Sequence, residues 1–443
     1  MKTIIIIFSF VILVYFISCD TNEPPPPTDG EQPTLDLKLE DASCTEAWIT
    51  LTTTNLQLPA TLTLKQFNPT GDTISKILNL NTKDLLLYVD SLLPKQSYIF
   101  QSSIHSINQS EVSSNELTVT TMDTTSHNFT FETFTFGGTA GSCTLYDVAI
   151  INEDNIWAVG EILVADTSQN GYTMYNAVHW DGTNWELKRI PFTGSCSAVM
   201  YPAIRSIWIF SDSDIWFARG GSLVHFDGTN YYNDCNMNSL LTGSMNKIWG
   251  SSSSNLYVVG NNGNVVHYNG TLWNRIESGT EVSIIDVFGV VTQTNNQKKV
   301  FCAVSDIIIN PGQYKILTIS ENNSIDSLHW DLDRSTASTW TSNGWIVYTS
   351  GGGVFNNKSG RWIEERTIPL YYTNRIRGNG LNDIFVVGDF GLLAHFNGLG
   401  WNIYQEFLQL PVTAFNSITV KENIMAIVGY NGEKALIILG KRT

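Results

Sequence analysis

The sequence predicts an all-β protein, a small β-sandwich followed by a seven-bladed β-propeller. Three observations predict it. Residues 34–121 alternate apolar and polar positions with period two between turn formers. Residues 128–443 repeat one pair of phrases at a spacing of about 43 residues, the length of a four-stranded propeller blade. The composition, 15% charged and 12% aromatic with 34 glycines, suits turn-rich extracytoplasmic β-structure.

The chain opens on Met1-Lys2-Thr3 and an apolar run from Ile4 to Ile17 broken only by Ser9. As a helix that run reaches roughly 21 Å, short of the ~30 Å hydrocarbon core, so it reads as a signal-peptide core rather than a span. It stops at Phe16-Ile17-Ser18-Cys19, which resembles the bacterial lipobox. The match departs from the usual pattern in having Phe16 and Ile17 where a leucine and a small residue stand. The resemblance implies cleavage after residue 18 and lipid on Cys19. Diacylglyceryl and N-acyl chains together give stable anchoring where one chain is marginal. The expected location is a bacterial outer membrane or cell surface. Residues 19–33 carry Pro24-Pro25-Pro26-Pro27, acids and no apolar run, and read as a disordered tether.

The formal net charge of −16 argues against non-specific nucleic-acid binding and against docking on anionic headgroups. Acyl chains on Cys19 are therefore the expected membrane contact, and the expected state is a monomer. Six cysteines are too few for a disulfide framework, and none has metal-site spacing. No metal or cofactor is expected.

In 34–121, strands are expected at 35–39, 47–51, 60–66, 85–89, 92–100 and 116–121. Trp48 and the stretch Leu93-Pro94-Lys95-Gln96-Ser97-Tyr98 resemble the buried tryptophan and the corner-tyrosine motif of fibronectin type III domains. That resemblance implies a seven-stranded sandwich with Trp48 in its core and Tyr98 making the corner hydrogen bond. The expected role is a spacer.

The repeat begins with His179-Trp180-Asp181-Gly182-Thr183-Asn184-Trp185. It recurs as His225 to Tyr231, His267 to Trp273 and His395 to Trp401. The last interval is three times the others, so two degenerate copies are expected between, with Trp330 and Trp362 in the aromatic position. A second phrase precedes each copy, as in Ile156-Trp157-Ala158-Val159-Gly160 and Ile384-Phe385-Val386-Val387-Gly388, with weaker forms at 300–304 and 345–348. Asp-Gly or Asn-Gly makes the turn between the third and fourth strands, where positive φ is needed. The last unit, from Phe415 to Leu439, lacks a fourth strand. Residues 128–136 alternate strictly and have no unit of their own, so they are expected to supply it and close the ring. These repeats resemble a bacterial family of secreted or lipid-anchored propellers, and the resemblance implies architecture without a reaction.

His179, His225, His267 and His395, with Trp185, Trp273 and Trp401, are read as structural, because equivalent positions on separate blades do not converge. Cys143, Cys196 and Cys235 fall in connections between blades, and a disulfide between two of them is expected. The candidate ligand face is the one carrying those connections, with Tyr172 and Tyr175 on a long loop and Tyr201, Tyr371, Tyr372 and Arg375 on others. No catalytic constellation is found. The expected function is non-enzymatic binding of a protein or glycan through the propeller. The rival is a glycan-active enzyme, a glycoside hydrolase or glucosyltransferase, which would need two acids facing each other across the central funnel.

Overall fold

The computed structural model describes residues 33–105, 111–194, 198–234, 237–292, 297–306, 312–408, 410 and 412–443. Cys19, Cys196 and Cys235, and with them the expected signal peptide and all of the expected tether except its last residue, lie outside these residues.

Residues 34–121 form two facing sheets. Thr34–Ala42, Ala47–Thr54 and Asp84–Val89 make one. Thr73–Leu80, Ala60–Phe67, Ser97–His105 and Glu111–Ser113 make the other, with Leu117–Thr120 also paired to Ser97–His105. The period-two pattern sends Leu35, Leu37, Ala47, Ile49, Leu51, Leu62, Leu64 and Phe100 into the space between. The Tyr98 hydroxyl accepts from the Leu93 amide at 2.8 Å, the corner contact expected of it.

Trp48 behaves otherwise. It follows Ala47 and precedes Ile49, both in the sandwich core, so the pleat turns it to the opposite face. There it packs with Trp340, Ile346, Tyr348 and Val354 of the second domain and donates from Nε1 to the Lys358 carbonyl at 3.0 Å. The placement of Trp48 in the sandwich core is thus corrected.

Among the described residues the second domain holds seven four-stranded antiparallel sheets, here I to VII, with strands labelled a to d in the order in which they pair. Strands a are Thr144–Asn152, Ser206–Ser211, Met245–Ser252, Ile284–Val291, Thr336–Trp340, Thr373–Gly380 and Thr413–Lys421. Each packs against the next, and the seventh packs against the first. In sheet VII the fourth strand is Phe129–Phe136, antiparallel to Lys434–Arg442 from Ala435 opposite Phe136 to Arg442 opposite Phe129.

The repeated phrases now have physical causes. The Asp181 carboxylate accepts the Thr183 and Asn184 amides at 2.8 and 2.7 Å, while Gly182 takes φ +90°. Asp227, Asn269 and Asn397 build the same turn. The glycine closing strand b is required by a bulge in strand a. The extra residue pushes the strand a backbone inward, so a Cβ on Gly388 or Gly429 would collide with the carbonyl of Tyr372 or Ala414.

Sheets IV and V depart from the expected register. Trp330 follows strand d of sheet IV, Ile325–Leu328, rather than starting it, and packs edge-on to Trp362 at 4.9 Å. Residues 345–347 precede strand b of sheet V, which is Tyr348–Gly351. In both sheets the Asp-Gly turn that sets the register is missing.

The sandwich docks on the face carrying the a–b and c–d turns. Asn343 donates to Asp41, the Lys358 ammonium meets Glu46 at 3.1 Å, and Asn382 donates to the Asp123 carbonyl at 2.7 Å. Gly398 lies so close to Cys44 that a Cβ would strike its sulfur.

Candidate functional site

The four repeat histidines perform one structural task, each inside its own sheet. In each, Nε2 bonds the Asx residue that starts strand b, and the ring stacks on the aromatic two residues further on. His179 meets Asn155 at 2.9 Å and stacks on Trp157 at 4.3 Å. His225 meets Asp214 and stacks on Trp216, and His267 meets Asn255 and stacks on Tyr257. His395 meets Asp383 at 2.9 Å and stacks on Phe385 at 4.2 Å. The histidines therefore tie strand c to the start of strand b. Trp185, Trp273 and Trp401 begin strands d, as expected.

His395 also meets His127 of the interdomain connection, Nδ1 to Nδ1 at 2.8 Å. Burial, with His395 and Arg442 nearby, holds the His127 imidazole down at about 4; burial and Lys298 do the same to His267, also at about 4. Both rings are neutral in the folded protein, whereas in the unfolded chain they take a proton near 6.5. Between pH 6.5 and 4 the unfolded state binds more protons, so stability present above that window is lost as pH falls through it. Thermal midpoints are expected to drop steadily from pH 7 to 4, and His127→Asn should flatten the slope. A wild-type profile level across that range would contradict the assignment.

The functional geometry lies at the axis. Opposite Val159, Ala218, Val259, Ala303, Ser350, Val387 and Val428 of the seven strands b stand, in turn, Asp147, Ser206, Lys247, Asp286, Ser338, Arg375 and Ser417. All are buried. Asp147 accepts from the hydroxyls of Ser206 and Ser417 at 2.9 Å each and from the Lys247 ammonium at 2.5 Å. Asp286 accepts from Ser338 at 2.6 Å, from Arg375 Nη1 at 2.5 Å, and from Arg377 Nη1 and Nη2 at 3.0 and 2.8 Å. Burial works against both carboxylates, but Arg375 and Arg377 hold Asp286 far below the usual carboxylate range, and Lys247 with Arg375 lowers Asp147. Burial pushes Lys247 down to about 8. Both acids are committed to cations and hydroxyls, which leaves neither as a general acid or base.

The residue before each of these, on the bulge in six of the seven strands, turns toward the face of the b–c and d–a connections. These residues are Tyr146, Arg205, Asn246, Ile285, Ala337, Asn374 and Asn416, and all seven line one cavity of about 580 Å³. A bulge re-aims one side chain out of the ladder, which explains why the same position faces the axis each time. Asn246, Asn374 and Asn416 donate to the carbonyls of Ile284, Phe415 and Leu145 on the next strand a, at 2.8 to 3.0 Å. Their side-chain oxygens accept no bond among the described residues. The Arg205 guanidinium lies 4.0 Å above the Tyr146 ring.

Of the candidate face residues, Tyr372 and Arg375 line this funnel, Arg375 from strand a rather than a loop. Tyr172 and Tyr175 sit on strand c of sheet I, Tyr172–Trp180, which with strand b forms a protruding hairpin in place of the expected loop. Tyr201 stacks under Arg189 at 3.8 Å, and Tyr371 lies against Phe390 at 5.2 Å. None of these four lines the funnel. Cys143 is buried and unbridged, its sulfur accepting the Leu163 amide at 3.2 Å. A larger groove of about 780 Å³ runs along the outer edge between sheets II and III, beside Trp216, Tyr232 and Trp273. The axial funnel draws on all seven sheets.

No known family matches the sequence, and no curated protein matches it. Among solved structures, the fold resembles "YCF48 bound to D1 peptide", with TM-score 0.51 and 13% identity over 72% of this chain and 97% of that one. Lower similarity is found to the propeller of Dos1, with TM-score 0.45 and 12% identity over 70% of this chain and 94% of that one. The C-terminal WD40 domain of Sif2 follows at 0.41 and 11%, over 69% and 98%. The second domain of this chain is a β-propeller, built from repeats.

Proposed function

We propose that this chain is a lipid-anchored envelope protein whose propeller holds a polypeptide ligand at the axial funnel without catalysing a reaction. The observation that carries the reading is the convergence of seven equivalent residues, one per sheet, on a single cavity beneath which the two buried acids, Asp147 and Asp286, are already paired. Such a wall offers carboxamide oxygens and aromatic faces, groups that grip an extended backbone and its side chains. The structurally similar YCF48 was solved with a bound peptide, which supports a peptide over a glycan. We read the second domain as a seven-bladed ring closed by residues 128–136. The first we read as a fibronectin type III-like sandwich, in keeping with its three-plus-four strand order and its Tyr98 corner.

The anchoring reading rests on the signal-like N-terminus and Cys19, and the domain arrangement suits it. Asp41 touches the propeller, while Thr34 lies at the other end of the same strand, roughly 25 Å away at ~3.3 Å per residue. The funnel opens on the face opposite the docked sandwich, so a lipid on Cys19 would leave it pointing away from the membrane. The chain lacking its signal peptide, screened on peptide and glycan arrays, is expected to bind peptides, and Ile285→Trp, which fills the funnel mouth, to abolish binding. In cells, palmitate labelling is expected to disappear in Cys19→Ala. Binding that survives Ile285→Trp, or label that survives Cys19→Ala, overturns the corresponding half of the proposal.

A further inference from the structure

The floor of the funnel has more cationic groups than anionic ones. Lys247, Arg375 and Arg377 serve only Asp147 and Asp286 there, in a chain whose net charge is −16. Both terminal nitrogens of Arg377 are engaged, Nη1 with Asp286, Ser338 and the carbonyls of Thr339 and Ile376, and Nη2 with Asp286. Arg375 differs. Its Nη1 donates to Asp286, but its Nε is buried without a partner, and its Nη2 makes no hydrogen bond among the described residues. Arg375 is 9% exposed, and what it exposes lines the funnel. An unpaired donor buried in a native protein costs free energy comparable to a lost hydrogen bond. The Nε and Nη2 of a guanidinium form the edge that grips a carboxylate with two parallel bonds.

We infer that Arg375 is an anion-recognition residue, and that the peptide bound in the funnel presents a carboxylate to its Nε–Nη2 edge. The inference rests on the peptide-binding reading above and names the chemistry of its ligand. Of the other charged groups lining the cavity, Arg205 adds attraction from the mouth. Asp306 lies on the rim and is engaged by a partner of its own. A carboxylate at the floor would give the network a third anion for its three cations. Tyr372 and the oxygens of Asn246, Asn374 and Asn416 would meet the rest of the peptide.

The test uses the chain without its signal peptide and an array of peptide pairs, each displayed with Asp, Glu and a free C-terminus and again with Asn, Gln and an amidated C-terminus. Binders are expected to lose tenfold or more in affinity when the carboxylates become amides. Arg375→Gln should remove that difference, and Arg375→Lys, which keeps the charge without the fork, should retain part of it. Thermal melts of both variants confirm folding, and if Arg375→Gln does not fold, the acid–amide difference and Arg375→Lys still decide. Equal binding of acid and amide members, or an acid preference unchanged in folded Arg375→Gln and Arg375→Lys, overturns the anion site while leaving peptide binding intact. If no peptide of either kind binds, the peptide reading itself falls. If polygalacturonate, included as an anionic polysaccharide, binds instead through Arg375, the ligand is a glycan and the peptide assignment is overturned.

Discussion

Asp286→Ala is expected to lower the stability of the propeller by about 3–5 kcal/mol, the cost of removing one partner from a buried ion network. The carboxylate is fully buried and holds Arg375 and Arg377 together with the hydroxyl of Ser338 and the amide of Thr339. Those groups come from sheets V and VI, so the loss falls on contacts between sheets rather than within one. Removing the acid leaves two guanidinium groups in a site that water cannot reach freely. Replacing Asp286, Arg375 and Arg377 together by Leu, Met and Met should recover much of the loss, because packed apolar groups carry no desolvation penalty. The measurement is thermal and denaturant unfolding followed by tryptophan fluorescence. A loss below about 1 kcal/mol for the single variant would show that the network contributes little net attraction.

Trp48→Ala is expected to undock the two domains without unfolding either. Burying a tryptophan is worth about 3–5 kcal/mol when it is cut to alanine, and here that sum belongs to the interface. Trp48 is 4% exposed and packs among Trp340, Ile346 and Tyr348, while the sandwich keeps its own core around Ile49, Leu62 and Phe100. The variant should show two separate melting transitions, an enlarged radius of gyration in small-angle scattering, and cleavage by protease in the connection at 122–127. Far-UV circular dichroism should be unchanged. Loss of the sandwich signal itself would mean that Trp48 supports the first domain from within, and the docking account would be wrong. The Glu46–Lys358 pair remains in the variant, but loss of the indole opens it to water, and a solvated ion pair is too weak to hold the domains together.

Much of the propeller was legible in the chain because its repeat is local. The Asx residue, the aromatic two positions on, the histidine and the Asp-Gly turn lie within about 30 residues of one another. Their hydrogen bonds and stacking stay inside one sheet, so each copy prints the same phrase. The strand at 129–136 could be placed because its alternation had no unit around it and the last unit was one strand short. The same logic failed in sheets IV and V. There the turn is missing, and Trp330 pairs with Trp362 across two sheets in a contact that no spacing reveals.

The funnel was harder to see. Tyr372 and Arg375 stand out in the sequence, yet Tyr146, Arg205, Asn246, Asn374 and Asn416 do not, because each is a single residue at the start of an inner strand and no local spacing marks it. A signal existed: Asp147, Lys247, Asp286 and Arg375 are charged residues at matching places in inner strands, where charge is expensive. Aligning the units on that position would have marked the preceding residue as the one facing the axis. Trp48 went astray for a related reason. Alternation tells that Trp48 and Ile49 point to opposite faces of one strand, but it does not tell which faces will be covered.

Local pattern alone was enough for the all-β class and the repeat, since each depends on residues close in the chain or on a fixed period. The pairing of three cations with two acids, the orphaned edge of Arg375, and the docking of Trp48 were decided only in three dimensions. They join residues up to 310 positions apart, as between Trp48 and Lys358. Which charges meet and which apolar faces are covered depends on how sheets pack around an axis. Burial and electrostatics act through that distance in space, and a linear sequence does not record it.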